Sequence, residues 1–94
     1  MVARDREKGE RTVEEVKHRS GASEVRLMLC DFSSQGDIRR FASEVLASHP
    51  QLHLLVNNAG AVSDSLRVTE DGLEQTFAVN HLGYFLLTNL LLGL

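Results

Sequence analysis

Asp31 stands directly after the apolar run Leu27-Met28-Leu29-Cys30. A carboxylate at such a strand end can accept a hydrogen bond from the amino group of a purine; capping the following turn is the competing role. Asn57-Asn58-Ala59-Gly60 ends a second apolar run. Its small residues let backbone approach a sugar closely and its amides can tie neighbouring segments together, although an ordinary turn has the same composition. Asn80 lies among Phe77, Ala78, Val79 and Leu82, where asparagine is a mediocre helix former with a polar group to satisfy. It is either a functional residue or a side chain bonded to backbone. Arg4 follows Val2-Ala3 and can pair with a phosphate or simply be solvated.

The elements that must position these residues alternate. Asp5 to His18 is charged, with opposite-sign pairs such as Glu7–Arg11 and Arg11–Glu15 at helical spacing, and predicts an exposed helix ended by Ser20-Gly21-Ala22-Ser23. Glu24 to Cys30 predicts a short strand. Ser34, with Asp37 three residues on, predicts a helix start; Ile38, Phe41, Ala42, Val45 and Leu46 then form one apolar stripe before Pro50. Leu52 to Val56 predicts a strand covered on both faces. Thr69-Glu70-Asp71 supply a cap and two acids for a third helix running from about Glu70 to the end of the chain. Strand and helix in this order, with short links, predict a parallel α/β sheet with right-handed crossovers. In such a sheet ligands lie beyond the carboxyl ends of the strands, so Arg4, Asp31 and the Asn57–Gly60 turn fall along one rim suited to a dinucleotide.

Composition narrows the partners. The 94 residues carry 10 basic and 13 acidic side chains, a formal charge of −3, which argues against a nucleic-acid or anionic-membrane partner. A chain this short holds at most one domain and buries only roughly 60–65% of its unfolded surface. The single cysteine, Cys30, excludes an intrachain disulfide and makes a reducing, cytoplasmic compartment the default expectation. The four histidines give no compact ligand spacing with Cys30, so no metal site is expected. Leu82 to Leu94 is too short to span a bilayer.

Together the segments resemble the short-chain dehydrogenase/reductase family, and most its retinol-dehydrogenase-like branch. The matching residues are Ala3 to Gly9, Cys30 to Ser34, Leu54 to Gly60, Thr69 to Glu74, and Val79 to Thr88, in the family's order and spacing. The resemblance implies a Rossmann fold, a doubly wound parallel sheet, and an oxidoreductase that moves a hydride between a nicotinamide and a carbonyl or alcohol, with a retinoid or steroid as a plausible substrate. It implies that Arg4 meets the 2′-phosphate of NADP(H), since the acid that would favour the free 2′-hydroxyl of NAD(H) is displaced to Asp5; NADP(H) is therefore expected over NAD(H). Asp31 and Phe32 would flank the adenine, and Asn57, Ala59 and Gly60 would contact the adenosine ribose. Asn58 would support the central sheet. Asn80 resembles the family's catalytic helix asparagine, whose backbone carbonyl holds a water in the proton relay.

The departures from the family pattern matter as much. The sequence carries no glycine-rich pyrophosphate turn, no catalytic serine and no Tyr-x-x-x-Lys; Tyr84 does not replace that pair, because Thr88 stands where the lysine would be. Residues 1–94 are therefore expected to be an incomplete dinucleotide-binding domain, a partial Rossmann fold lacking the first strand and the C-terminal half, cut at both ends. The piece alone should be inactive and bind cofactor weakly or not at all. The second expectation is of another class: an interaction module or homo-oligomer contact, pairing through the Asn80 helix with Phe85, Leu86, Leu90 and Leu91 as its apolar face. A decayed sequence without function is the third.

Overall fold

The computed structural model describes residues 1–93 and divides the chain into two compact units, Met1–Asp31 and a second beginning at Phe32.

In the first unit, β1 (Val2–Ala3) and β2 (Met28–Leu29) pair in parallel, Val2 opposite Met28 and Ala3 opposite Leu29. The ladder is extended by Met28 N–H donating to the Met1 carbonyl and Cys30 N–H donating to that of Ala3. The strand expected over Glu24–Cys30 shrinks to two residues, because β1 offers only two residues to pair with. Helix α1 (Arg6–Ser20) connects the strands. Asp5 caps it by accepting from Lys8 N–H at 3.0 Å, and Gly21, at φ +74, closes it in the left-handed conformation that glycine adopts without steric cost. Its ion pairs are Arg6–Glu10, Lys17–Glu14 and Arg19–Glu15. They replace the expected Glu7–Arg11 and Arg11–Glu15, since Glu15 turns to Arg19 one helical turn on. Gly9 packs where an added Cβ would meet the Leu27 methyls at 2.8 and 2.9 Å and the Ala3 Cβ at 3.1 Å, so the helix lies close against the sheet there.

In the second unit, α2 (Gln35–Ser48) begins as expected: the Ser34 hydroxyl accepts from Asp37 N–H at 3.2 Å. Ile38, Phe41, Ala42 and Val45 are buried, whereas Leu46, assigned to the same stripe, is 46% exposed at the stripe's margin. The expected third helix is in three parts: α3 (Gln75–Phe77), a π-helical turn (Ala78–Leu82), and α4 (Gly83–Leu91), which packs against α2. Leu87 and Leu91 are buried on its inner side.

Two expectations are corrected here. Thr69-Glu70-Asp71 do not start the third helix. They form a turn in which Thr69 N–H donates to the Leu73 carbonyl at 2.7 Å and Gly72 adopts φ +76. The cap is Glu74, whose carboxylate accepts from Thr76 and Phe77 N–H. Asp71 instead accepts from Gln35 N–H at 2.8 Å, at the start of α2. Likewise, Leu52–Val56 is not a strand: Leu54 is 77% and Val56 70% exposed. Among its described residues the second unit holds only an isolated bridge, Val68–Glu74, and no ladder for it to join, and a run of apolar residues becomes a buried strand only when neighbours pair with its edges and cover its faces.

Candidate functional site

Arg4 and Asp31 lie at the carboxyl end of the two-stranded sheet of the first unit, one and two residues beyond paired positions. Arg4 is exposed and, among the described residues, has no carboxylate partner; Asp31 is half-buried. The Asp5 carboxylate, by contrast, is committed: the Lys8 N–H it accepts holds its pKa below the ordinary 3.8.

In the second unit, the Asn57–Ala61 segment, which forms no turn, meets the helix that carries Asn80 through three polar rungs. Asn80 Nδ2 donates to the Ala61 carbonyl at 2.7 Å, and Ala61 N–H donates to Asn80 Oδ1 at 2.9 Å. The Tyr84 hydroxyl donates to the Ala59 carbonyl. Asn57 Nδ2 donates to the Thr88 hydroxyl at 3.2 Å. Helix residues 80, 84 and 88 thus meet loop residues 61, 59 and 57. Four helical residues advance about 6 Å and two extended residues about 6.5 Å, so the two spacings run in register.

The Tyr84 ring is braced by Phe32, with centroids 5.3 Å apart and planes at 54°. Burial raises the Tyr84 phenol above its ordinary 10.0, which keeps it a donor. Phe32 also lies against the helix at Gly83, where an added Cβ would sit 3.1 Å from the Phe32 ring, 3.2 Å from its carbonyl and 3.1 Å from the Ala78 carbonyl. That last oxygen accepts the Gly83 N–H in the i→i+5 bond of the π turn. Phe32, Asn57, Ala59, Gly60 and Asn80 are therefore one connected cluster, while Arg4 and Asp31 belong to the first unit.

Asn58 is exposed, and among the described residues no sheet lies within its unit for it to support. Tyr84, Thr88 and Glu74 were not singled out from the sequence as structural residues. The signal for the first two was present: Asn80, Tyr84 and Thr88 repeat every four residues along a helix that is apolar on most faces. Of the four residues expected to form its apolar outer face, Phe85 is 66% exposed, Leu86 and Leu90 are half-buried and Leu91 is buried.

Gly60 tests whether a sugar fits this segment. Its φ is not positive, and an added Cβ would meet only Asn80 Oδ1, at 3.6 Å, an ordinary contact. Among the described residues nothing crowds that position, so its small size leaves the backbone open to approach. An exposed arginine at one strand end suits a phosphate in the same way.

The sequence profile of the family described as short chain dehydrogenase matches residues 1–94. This chain belongs to the short-chain dehydrogenase family. It is 45% identical over 93 residues to bovine retinol dehydrogenase 12, spanning 99% of this chain and 29% of that protein. It is 49% identical over 75 residues to human retinol dehydrogenase 14, spanning 80% of this chain and 22% of that protein. With zebrafish polyprenol dehydrogenase the identity is 40% over 93 residues, 99% of this chain and 29% of the relative. The crystal structure of an uncharacterised protein from Mycobacterium paratuberculosis superposes with a TM-score of 0.80 at 36% identity, covering 99% of this chain and 31% of that one. The chain thus spans under a third of the length of these relatives, and its parallel strands and helices are part of a Rossmann-type α/β fold. Among the described residues no helix is long and apolar enough to cross a membrane.

Proposed function

We propose that these 94 residues are an incomplete dinucleotide-binding domain, the adenosine-binding stretch of an NADP(H)-dependent oxidoreductase. Family membership gives the reaction type: the nicotinamide would supply or accept the hydride, and a carbonyl or alcohol would be its counterpart. The relatives named as retinol and polyprenol dehydrogenases favour a lipophilic alcohol or aldehyde as substrate. This stretch alone is inactive, because it contains neither a glycine-rich pyrophosphate turn nor a Tyr-x-x-x-Lys.

The carrying observation for NADP(H) over NAD(H) is the division of labour between Arg4 and Asp5. Arg4 is exposed and, among the described residues, makes no ion pair, so its guanidinium is available to a 2′-phosphate. Asp5, the acid that would favour a free 2′-hydroxyl, is occupied as the cap of α1. Asp31 and Phe32 are assigned to the adenine and Asn57, Ala59 and Gly60 to the ribose. Asn80 is assigned the catalytic role of holding a water on its backbone carbonyl. Asn80 lies within a π turn, a feature frequent at functional sites, which favours this reading.

Calorimetric titration of the purified chain with adenosine 2′-phosphates and with adenosine tests the cofactor assignment. Weak binding that requires the 2′-phosphate and is abolished by Arg4→Ala is expected; equal binding of both, or indifference to Arg4, overturns it. Turnover of aldehydes with NADPH above background would overturn the inactivity.

The exposed Phe77, Phe85 and Leu92, 52%, 66% and 71% accessible, favour a second reading, a subunit contact through this helix. Size-exclusion of the chain mixed with a full-length relative decides it: a shared peak supports pairing and independent migration refutes it.

A further inference from the structure

The Asn57–Ala61 segment is held from one side. All its hydrogen bonds to the helix involve Asn57, Ala59 and Ala61, and among the described residues none reaches the backbone of Asn58 or Gly60. In an extended chain the N–H and C=O of one residue point to one side, and those of its neighbours to the other. A clamp on alternate residues therefore decides which backbone groups face outward. The middle rung sets this for Gly60, because it fixes the plane of the peptide that joins Ala59 to it.

We propose that the Tyr84 hydroxyl is a positioning group for nucleotide binding: by donating to the Ala59 carbonyl it turns the Ala59–Gly60 peptide so that the next peptide groups face a bound adenosine ribose. The inference rests on the nucleotide reading above. It gives Tyr84 a role that needs neither a lysine four residues on nor any proton transfer, only a phenol that keeps its proton and a ring held in place. Both conditions are present. Burial raises its pKa, and Phe32 packs against its ring. Removing the hydroxyl frees the peptide to rotate, and the donors and acceptors that a ribose needs are then presented only part of the time.

Tyr84 is the chain's one tyrosine, so it can be probed selectively. Tyr84→Phe keeps the ring and removes the donor. Its affinity for adenosine 2′,5′-bisphosphate should fall about five-fold, the worth of one neutral hydrogen bond. The carbonyl-carbon resonance of Ala59, read without nucleotide, should move to the position of an unbonded carbonyl. An unmoved Ala59 resonance, or unchanged affinity with a moved one, overturns the proposal. Binding by the unaltered chain that ignores Tyr84 leaves the nucleotide reading standing and removes only the positioning role. No binding by the unaltered chain removes both. Should Tyr84→Phe not fold, the chain grown with fluorotyrosine decides: its single fluorine resonance should shift as the bisphosphate binds, and binding without a shift overturns the role.

Discussion

Asn80 and Ala61 are joined twice, the side-chain amide of one reproducing the hydrogen-bonding pattern that a neighbouring strand would offer the backbone of the other. An amide can do this because it is donor and acceptor at once. Asn80→Asp removes the donor and sets a carboxylate against the Ala61 carbonyl. The expected loss is about 1–3 kcal/mol of stability near neutral pH, measured by urea unfolding. Acidification that protonates the new carboxyl should restore part of it. An Asp variant as stable as the parent would show that the two bonds are not formed.

Gly83 has no room to grow. The atoms that a Cβ would meet include two backbone carbonyl oxygens at 3.1 and 3.2 Å, neither of which can swing aside like a side chain. Although alanine is the better helix former by about 1 kcal/mol, Gly83→Ala should destabilise the chain by about 1–3 kcal/mol. Thermal unfolding followed by circular dichroism measures it, and a rise in Tm would refute the packing.

Asp71 connects a turn to the start of α2 through the Gln35 N–H. Asp71→Ala should cost about 0.5–2 kcal/mol, as other lost N-terminal caps do. The loss should appear as faster amide hydrogen exchange at Gln35, with α4 unaffected. If Asp71 instead started the third helix, as its sequence neighbours suggest, exchange would rise around Gly72–Gln75.

Alkaline pH should weaken the second unit. The folded phenol of Tyr84 has its pKa raised above the ordinary 10.0 by burial, so the folded chain holds this proton more tightly than the unfolded one. Its contribution is complete below pH 10.0 and is lost as pH rises through the folded value. Phenolate absorbance should therefore titrate later in the folded chain than in urea, and Tyr84→Phe should abolish this part of the alkaline slope. Coincident titrations in both states would contradict the buried donor.

Features settled by near neighbours were legible from the sequence. Ser34 caps α2 because its partner N–H is three residues away, and Ile38, Phe41, Ala42 and Val45 are buried because a helix brings them to one face whatever lies opposite. The cap of the third helix was misplaced for the opposite reason. Thr69, Glu70 and Asp71 have the right composition, but Gly72 at φ +76 lets the chain fold back into a turn, and Glu74 takes the role. Leu52–Val56 has the composition of a buried strand, yet strand pairing needs a partner, and the described residues of its unit offer none.

The sequence by itself determined the Ser34 cap, most of the apolar stripe of α2 and membership of the short-chain dehydrogenase family, because these depend on residues in order and at fixed spacing. Only the tertiary structure decided what the polar residues of the last helix touch. Asn80, Tyr84 and Thr88 lie 19, 25 and 31 positions from Ala61, Ala59 and Asn57, and contacts across such separations exist only once the chain has folded one segment back on the other.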